Sequence, residues 1–284
     1  MVRPGFVVAL VAALALAGAG LAFTAASRAR AQRVTASGAG EPALAQPRLH
    51  TLTEVPIADH PGTSPAVAAH RSAGVAAHHH AARPPTEVLS IRSGRTVSLR
   101  DRPGGRVIAL VRDRTDFGSP TTLSVTVRRG RWAGVPNPAL RNGRLGWVDT
   151  GDGALRRSAV NARLIVDLSR RRLELRVRGR RVRVVPVAVG RPGSATPPGR
   201  FSVTDKITGS RFGPYYGCCI LALSGHQTHP PPGWTGGDRV AIHGTNSPST
   251  IGTASSAGCL RAADSDLLVL LRRVPLGTPV IVHA

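Results

Sequence analysis

Glycine and proline interrupt this 284-residue chain at short intervals, with 32 glycines and 23 prolines among its residues. The apolar stretches between them are short, and many alternate with polar residues, which is typical of β-strands bounded by turns. Apolar residues make up 42% of the chain, enough to build a core, whereas aromatic residues make up only 4%. The sequence therefore favours a mainly β protein of short strands over a helical bundle.

Residues 1–31 predict export from the cytoplasm. Arg3 precedes an apolar run from Phe6 to Phe23, and Ala29-Arg30-Ala31 provides an A-x-A cleavage site, a combination that is typical of a signal peptide. The run is also close to the length that spans a bilayer. The segment is therefore either a cleaved signal peptide or an uncleaved anchor that engages the membrane. Both alternatives predict an extracytoplasmic protein.

Residues 32–86 predict a flexible linker. They are rich in alanine, proline, serine, glycine and histidine and show no sustained hydrophobic period, so little apolar surface offsets the entropy of ordering them. Six of the ten histidines lie here, three of them in His78-His79-His80. A metal-binding tract is the alternative interpretation, and a solvated linker is favoured because no cysteine lies among these residues.

Residues 87–152 predict a small all-β domain of five or six strands. Short apolar or alternating runs are separated by turn residues such as Pro103-Gly104-Gly105. The segments GRWAGV at 130–135 and NGRLGWV at 142–148 resemble bacterial SH3-like domains, which implies a small SH3-like β-barrel. This part of the sequence contains no evident nucleophile or acid–base pair, so we expect the chemistry elsewhere.

Residues 161–284 predict a second domain, a β-rich sandwich or barrel with a single helix. A meander of three strands is expected at 164–168, 173–177 and 182–189, and further strands at 201–204, 240–243 and 279–282. The helix would begin at Asp264 or Ser265, either of which can cap it, and would end before Pro275. Its expected apolar stripe consists of Leu267, Leu268, Leu270 and Leu271.

Cys259 and His243 are the residues of this second domain that indicate chemistry. His243 ends an apolar strand, and Cys259 lies in a loop with Gly258 just before the predicted helix. A cysteine nucleophile needs an imidazole within hydrogen-bonding reach to hold it as a thiolate. A glycine beside it lets backbone amides converge on one oxyanion, and a helix N-terminus favours a thiolate. The spacing alone is equally consistent with a buried cysteine and a core histidine.

Several segments together resemble the L,D-transpeptidase family, which has the YkuD fold. They are IVDLSRRRLEL at 165–175, VPVAVGRPGSATPPGRFSVTDK at 185–206, IHGT at 242–245, SSAGCLR at 255–261 and PLGTPVIV at 275–282. The most distinctive part is Gly190 followed by Thr196-Pro197-Pro198-Gly199, which corresponds to the VG…TPxGxF turn of the family. The resemblance covers most of residues 161–284 and implies a β-sandwich with one helix after the catalytic loop.

The resemblance implies an enzyme that cross-links peptidoglycan stem tetrapeptides in the cell wall or at the outer face of the cytoplasmic membrane, with neither cofactor nor metal. The Cys259 thiolate would attack the carbonyl of the third-position diamino acid of a donor stem and expel the terminal D-alanine. An amine of an acceptor stem would then resolve the thioester. With water in its place, the same site would be an L,D-carboxypeptidase. A non-catalytic wall-binding module is the alternative from another class.

The resemblance also implies roles for individual residues. Cys259 would be the nucleophile and His243 its general base, with the other ring nitrogen of His243 on a backbone carbonyl. Backbone amides of Gly258, Cys259 and Gly244 are the expected oxyanion donors. Arg261 would bind a substrate carboxylate in a bidentate manner, and a structural salt bridge or a carbonyl clamp is the equally weighted alternative.

Three further residues are candidate substrate contacts: Thr245, Ser256 and His226. Many family members have a histidine directly before the GC, where this chain has Ala257. His226 either fills that gap or simply lies in a loop, and the loop interpretation is slightly favoured.

Cys218 and Cys219 are adjacent and follow the stretch GPYYG at 213–217, which in a family member would line the cleft. Adjacent cysteines form only a strained disulfide, which would make one of them a redox gate near the nucleophile. A buried strand cysteine is the favoured interpretation. A zinc site with His226 and His229 is the weakest, because the spacing lacks a C-x₂-C signature.

The formal net charge of +23 arises from 38 arginine and lysine residues against 15 aspartate and glutamate residues. Such a chain is attracted to polyanions, and anionic wall polymers are the partners we expect. Nucleic acid is not expected, because export is predicted and no helix carries a clustered basic face ahead of base-reading side chains.

Overall fold

The computed structural model describes residues 84–234 and 237–284. The segment predicted as a signal peptide or anchor at 1–31 lies outside the described residues, as does nearly all of the predicted linker at 32–86. Within the described part of the chain, no helix is both long enough and apolar enough to cross a membrane.

An N-terminal β domain contains eight strands. They are β1 (Thr86–Ile91), β2 (Thr96–Arg100), β3 (Val107–Arg112), β4 (Thr122–Ser124), β5 (Val127–Arg129), β6 (Trp132–Val135), β7 (Gly146–Asp149) and β8 (Leu155–Val160). They form one sheet in the order β4-β1-β8 and another in the order β3-β2-β7-β6-β5. Their apolar residues, among them Leu89 and Leu99, share one core.

This β domain is larger than the sequence predicts. Instead of five or six strands that end at residue 152, it has eight strands and extends to Val160, because β8 pairs with β1 along its whole length. The assignment to an SH3-like barrel stays a prediction.

The C-terminal domain contains ten strands and one α-helix. They are β9 (Ala162–Asp167), β10 (Arg172–Val177), β11 (Arg180–Pro186), β12 (Val189–Gly190), β13 (Gly199–Thr208), β14 (Cys219–His226), β15 (Arg239–His243), β16 (Ala254–Ser256), β17 (Leu260–Arg261), α1 (Asp264–Arg273) and β18 (Pro279–His283). The sequence predicted six of these strands and the helix. It gave no bounds for the other four strands, β12, β14, β16 and β17.

Eight of these strands form one mixed sheet in the order β11-β10-β9-β18-β13-β14-β15-β17, and β12 pairs separately with β16. β9, β10 and β11 form the predicted antiparallel meander. The long strand β13 pairs through residues 199–202 with β18 and through residues 203–208 with β14. Both halves of the sheet contribute to one core, so the predicted sandwich is a single sheet that curls at β13.

Helix α1 covers β14 and β15 with a narrower apolar stripe than the sequence predicts. Leu267 and Leu270 are fully buried in the core, and Leu271 packs partly against it. Leu268 is 42% exposed, so it does not belong to the buried stripe.

The start of α1 also differs from the prediction. Its N-cap is Ala263, whose methyl side chain cannot accept a hydrogen bond, so neither Asp264 nor Ser265 caps the helix. Asp264 and Asp266 instead lie in the first turn, where negative charge is favourable.

Side chains join the β domain to the C-terminal domain. Asn142 binds both backbone groups of His226: its Nδ2 donates to the carbonyl oxygen at 2.7 Å, and its Oδ1 accepts from the amide at 2.8 Å. The Thr115 hydroxyl donates to the fully buried carboxylate of Asp205. These contacts fix the β domain against β13, which carries Asp205, and β14, which ends at His226.

Gly277, in the turn between α1 and β18, is packed against the β domain. Its φ is +77°, and a Cβ there would lie 2.8 Å from Val88 Cγ1 and from Thr122 Cγ2. Gly143 has nearly the same φ, +79°, but a Cβ there would meet no atom of the described residues within 4 Å. The two glycines therefore differ in crowding and not in backbone conformation.

We expect Gly277→Ala to lower the free energy of unfolding by more than Gly143→Ala does. Both substitutions place a Cβ in the left-handed region at a cost of roughly 1–2 kcal/mol, and Gly277→Ala adds overpacking worth about 1–3 kcal/mol. Urea denaturation of both variants measures the difference. Equal losses would show that the two domains do not pack tightly at this turn.

Candidate active site

The parallel strands β15 and β17 bring the predicted catalytic residues to the same region of the sheet. In their register, His243 pairs with Arg261. The neighbouring pair, Ile242 and Leu260, is fully buried in the main core. Since side chains alternate along a strand, His243 and Arg261 point to the opposite face. Cys259 precedes β17 by one position and packs on that second face, which places its Cα about 8 Å from that of His243.

His243 is fully buried, and its ring is hydrogen-bonded at one nitrogen. Nδ1 donates to the carbonyl oxygen of Gly244 at 2.6 Å, since a carbonyl can only accept. Nε2 is then the unprotonated nitrogen, and it has no hydrogen-bond partner within residues 84–234 and 237–284. The ring centroids of Tyr215 and Tyr216 lie 5.6 and 4.9 Å from that of the imidazole. A bare nitrogen held in this way can accept a proton.

Burial favours the neutral forms of His243 and Cys259. Burial, opposed by the Gly244 hydrogen bond and assisted by the nearby Arg261 guanidinium, lowers the pKa of His243 from 6.5 to about 4. Burial also raises the pKa of the Cys259 thiol, against smaller effects of a hydrogen bond with the Ala241 backbone and of Arg261. Both shifts oppose the expectation that the imidazole holds a preformed thiolate, which stays a prediction.

The Cys259 thiol borders a narrow pocket and points toward strand β15. It donates to the carbonyl oxygen of Arg239 at 3.9 Å, and no thiol–imidazole hydrogen bond is present among the described residues. The pocket is walled by aromatic side chains, including Tyr215 and Trp234. The thiol therefore faces the backbone of β15 at Arg239 and not the imidazole of His243.

Ser256 shapes the loop that carries Cys259. Its hydroxyl donates to the Cys259 carbonyl at 2.6 Å and accepts from the Gly258 amide at 3.1 Å. Ser256 is only 1% exposed, so it stabilises the loop, and its role as a substrate contact stays a prediction. The Gly258 amide is occupied as well, and its role as an oxyanion donor also stays a prediction. The Cys259 amide, which makes no hydrogen bond within the described ranges, remains available.

Gly244 and Thr245 also have structural partners. The Gly244 amide donates to the carbonyl oxygen of Cys219 at 3.0 Å, so this amide is already occupied, and its use as an oxyanion donor stays a prediction. The Thr245 amide lies 3.4 Å from Asp264 Oδ1, and its hydroxyl accepts from the Ser247 amide at 3.0 Å. Asp264 thus ties the turn after β15 to the start of α1, and Thr245 is engaged there instead of facing a substrate.

Arg261 is a buried cation that has no carboxylate partner in the part of the chain the structure describes. Its Nη2 donates to Ser255 Oγ at 2.6 Å, and its Cζ lies 5.9 Å from the centroid of the Tyr215 ring. Its Nε is buried and, within the same residues, unpartnered. The predicted alternative of a structural salt bridge is therefore not observed. A guanidinium with unused donors in a desolvated site can bind an anion.

His226 contacts the β domain and does not fill the gap at Ala257. Its Nε2 lies 2.7 Å from the carbonyl oxygen of Pro138, and its Nδ1 lies 2.9 Å from Asp238 Oδ2. Both ring nitrogens are thus engaged, Nε2 with the β domain and Nδ1 within the C-terminal domain. The structure supports the loop interpretation of His226 over its predicted role as a substrate contact.

Sequence reasoning did not assign four residues that border the Cys259 pocket: Tyr215, Tyr216, Gln227 and Trp234. The signal for the two tyrosines was the stretch at 213–217, which the family resemblance places along the cleft. Gln227 had no signal, because its side-chain nitrogen bonds residues that lie 30 to 33 positions away along the chain.

Cys218 and Cys219 form a disulfide with each other, and Cys259 is a free thiol. The favoured prediction, an unpaired buried strand cysteine, is right about the position of Cys219, which begins β14 and is buried, but wrong about its pairing. The Cys218 amide donates to Asp264 Oδ2 at 3.0 Å, so the disulfide adjoins the turn after β15. Within residues 84–234 and 237–284, no three His, Cys, Asp or Glu side chains are grouped to hold a metal ion.

Comparison with known proteins gives several matches. Residues 161–282 match the family model of the YkuD L,D-transpeptidase catalytic domain. The chain is 36% identical over 151 residues to "Putative L,D-transpeptidase YkuD" of Bacillus licheniformis. This match covers 51% of this chain and 80% of that protein. It is 33% identical over 122 residues to the protein of the same name from Bacillus subtilis, which covers 42% of this chain and 65% of that protein.

Two solved structures are also similar. An L,D-transpeptidase from Mycobacterium smegmatis is 18% identical and has a TM-score of 0.38, covering 71% of this chain and 100% of that chain. L,D-transpeptidase 3 from Mycobacterium tuberculosis is 17% identical and has a TM-score of 0.35. The match covers 49% of this chain and 74% of that chain. These scores are too low to carry an argument, and family membership rests on the sequence matches.

The lowered pKa of His243 predicts a stability that depends on pH. The unfolded chain binds a proton at His243 near pH 6.5, whereas the folded chain does so only near pH 4. The stabilisation is therefore fully present above pH 6.5 and is lost as pH falls through 4, with a total of about 3 kcal/mol. We expect urea denaturation between pH 7 and pH 4 to show a shallower loss of stability in His243→Asn than in the wild type.

The matched control is His229→Asn, since His229 is exposed and should leave the wild-type slope unchanged. If His243→Asn lost stability with the wild-type slope, His243 would not be held neutral by burial.

Proposed function

The chain belongs to the L,D-transpeptidase family, and we propose that it cross-links peptidoglycan stem tetrapeptides through a thioester on Cys259, with His243 as general base. The observation that carries this proposal is the bare Nε2 of His243. This nitrogen is fixed by the Gly244 carbonyl on the far side of the ring and lies on the sheet face where the free thiol borders a pocket.

Acylation follows from the neutral resting pair. The sulfur of Cys259 attacks the carbonyl carbon of the third stem residue while the thiol proton passes to Nε2 of His243. The thiol has a raised pKa and the imidazole a lowered one, so proton transfer is uphill until the C–S bond forms. The Cys259 amide stabilises the tetrahedral oxyanion. The C–N bond to the terminal D-alanine then breaks, and the leaving amine takes the proton from His243.

The second half-reaction restores the enzyme. An amine of an acceptor stem attacks the thioester carbonyl and gives a proton to His243. The C–S bond breaks, and the sulfur of Cys259 takes that proton back as it leaves. Water in place of the amine gives a carboxypeptidase through the same steps, so the acceptor and not the catalytic pair separates the two reactions.

Arg261 supports recognition of the donor stem. It is 6% exposed and has unused donors beside the paired strands that carry His243. A substrate carboxylate would supply the negative charge that the described residues do not, and a guanidinium can bind it through two parallel hydrogen bonds.

The proposed reaction takes place outside the cytoplasmic membrane. The apolar N-terminal run and the A-x-A sequence that follows it support export, and the formal charge of +23 supports attraction to an anionic cell wall.

We expect the wild-type protein to gain the mass of one carbapenem molecule and Cys259→Ala to gain none, because Cys259 is the nucleophile. Intact-mass spectrometry measures the adduct, and circular dichroism confirms that the variant is folded. A wild-type protein that stays unmodified would favour a non-catalytic wall-binding role.

Incubation with disaccharide tetrapeptide then identifies the reaction. The wild type should produce a cross-linked dimer with loss of D-alanine, and Cys259→Ala should produce neither. Release of D-alanine without dimer would show hydrolysis instead of cross-linking.

We expect Arg261→Met to raise KM for the donor tetrapeptide by roughly 10- to 100-fold, because the variant loses a charge-assisted hydrogen bond to the donor. Arg261→Lys should recover only part of this loss, because lysine lacks the bidentate geometry. Steady-state kinetics measures both, with Arg200→Met as the control since Arg200 is exposed. An unchanged KM in Arg261→Met would show that Arg261 does not bind the donor.

A further inference from the structure

The loop that carries Cys259 is held by a side chain from outside it. Gln227 directly follows β14 and is only 8% exposed. Its Nε2 donates to the carbonyl oxygen of Ala257 at 2.8 Å, two residues before the nucleophile. Ala257 has only a methyl side chain, so the contact with Gln227 is made through the backbone carbonyl of Ala257.

The same amide group binds a second segment. Nε2 lies 3.1 Å from the carbonyl oxygen of Ser194 and 3.2 Å from that of Ala195. A primary amide has two hydrogens, so one serves Ala257 and the other is shared by the two consecutive carbonyls. Oε1 accepts from the His229 amide at 3.1 Å. These partners fix the amide in one orientation, with its nitrogen toward the loop.

The loop backbone lies directly against this amide. Gly258 has a φ of +120°, and a Cβ at that position would come 1.9 Å from Nε2 of Gln227. From within the loop, the Ser256 hydroxyl binds the Gly258 amide and the Cys259 carbonyl. The peptide group between Ala257 and Gly258 is therefore held on two sides, by Gln227 at its carbonyl and by Ser256 at its amide.

Gln227 also acts on the strand beneath the thiol. Its backbone amide donates to the carbonyl oxygen of Asp238 at 2.6 Å. The next residue, Arg239, supplies the carbonyl that faces the Cys259 thiol. One residue thus sets both the loop that carries the sulfur and the backbone that the sulfur contacts.

We propose that Gln227 is a positioning residue for Cys259. It fixes the direction of the sulfur and of the Cys259 amide through the backbone of residues 257 and 258. This role rests on the proposed function, in which both atoms have to meet the same carbonyl group of the donor stem.

Gln227→Glu tests the proposal, because it keeps the size of the side chain but turns an oxygen toward three carbonyl oxygens. We expect the rate constant for carbapenem acylation of Cys259 to fall by roughly 10- to 100-fold, as for a nucleophile displaced by about 1 Å. The dissociation constant of the non-covalent complex should change by less than the rate constant, because the side-chain amide of Gln227 is engaged with backbone groups. Gln227→Leu removes the donors without adding charge. It should likewise lower the acylation rate constant more than it changes the dissociation constant.

Hydrogen–deuterium exchange gives a readout that needs no reaction. Amides of residues 254–261 should exchange faster in both Gln227 variants than in the wild type, because the loop loses its outside partner. If the wild type itself were not acylated, the proposed function would fail, and this exchange difference would still decide whether Gln227 positions the loop.

Asn142→Ala is the matched control. It removes two partly buried hydrogen bonds to His226, the residue next to Gln227, but leaves the contact with Ala257 in place. Both readouts should stay at the wild-type level in this variant. The proposal is overturned if the Gln227 variants keep wild-type acylation and wild-type exchange, or if Asn142→Ala changes both readouts as much as they do.

Discussion

The parallel pairing of β15 with β17 is the contact on which the candidate site depends. It sets His243 beside Arg261 and leaves Cys259 one position before the strand. Ile242 and Leu260 fill the core on one face, so the polar residues between them have to point to the other. A shift of one residue in this register would turn Cys259 and Arg261 toward the core and Leu260 toward the face that His243 occupies.

Burial then decides how the pair can react. A fully buried imidazole with its Nδ1 on a carbonyl is kept neutral, and a thiol in the same surroundings stays protonated. In the proposed reaction, proton transfer is therefore coupled to the attack on the carbonyl group. Arg261 adds a positive charge beside this neutral pair, which favours an anionic substrate group over a protonated imidazole.

The sequence predicted the parts of the fold that arise from local patterns. Alternating residues delimited the β9–β11 meander, and a leucine stripe delimited α1. Contacts between distant segments had no such pattern. The amides of Gly258 and Gly244 proved to be occupied by Ser256 and Cys219, and Gln227 holds the loop through residues 30 to 33 positions away. The sequence motif was enough to propose Cys259 and His243 as the candidate nucleophile and base. Their protonation depends on burial, which only the fold creates.

The most direct test is the protonation state of His243 in the folded protein. Nitrogen NMR of labelled histidine, with His243→Asn for assignment, reports which ring nitrogen carries the proton at each pH. The account predicts a neutral ring at pH 7 with the proton on Nδ1 and a bare Nε2, and protonation of Nε2 only near pH 4. A His243 ring protonated on both nitrogens at pH 7 would contradict it, because Nε2 could then not accept the proton of Cys259.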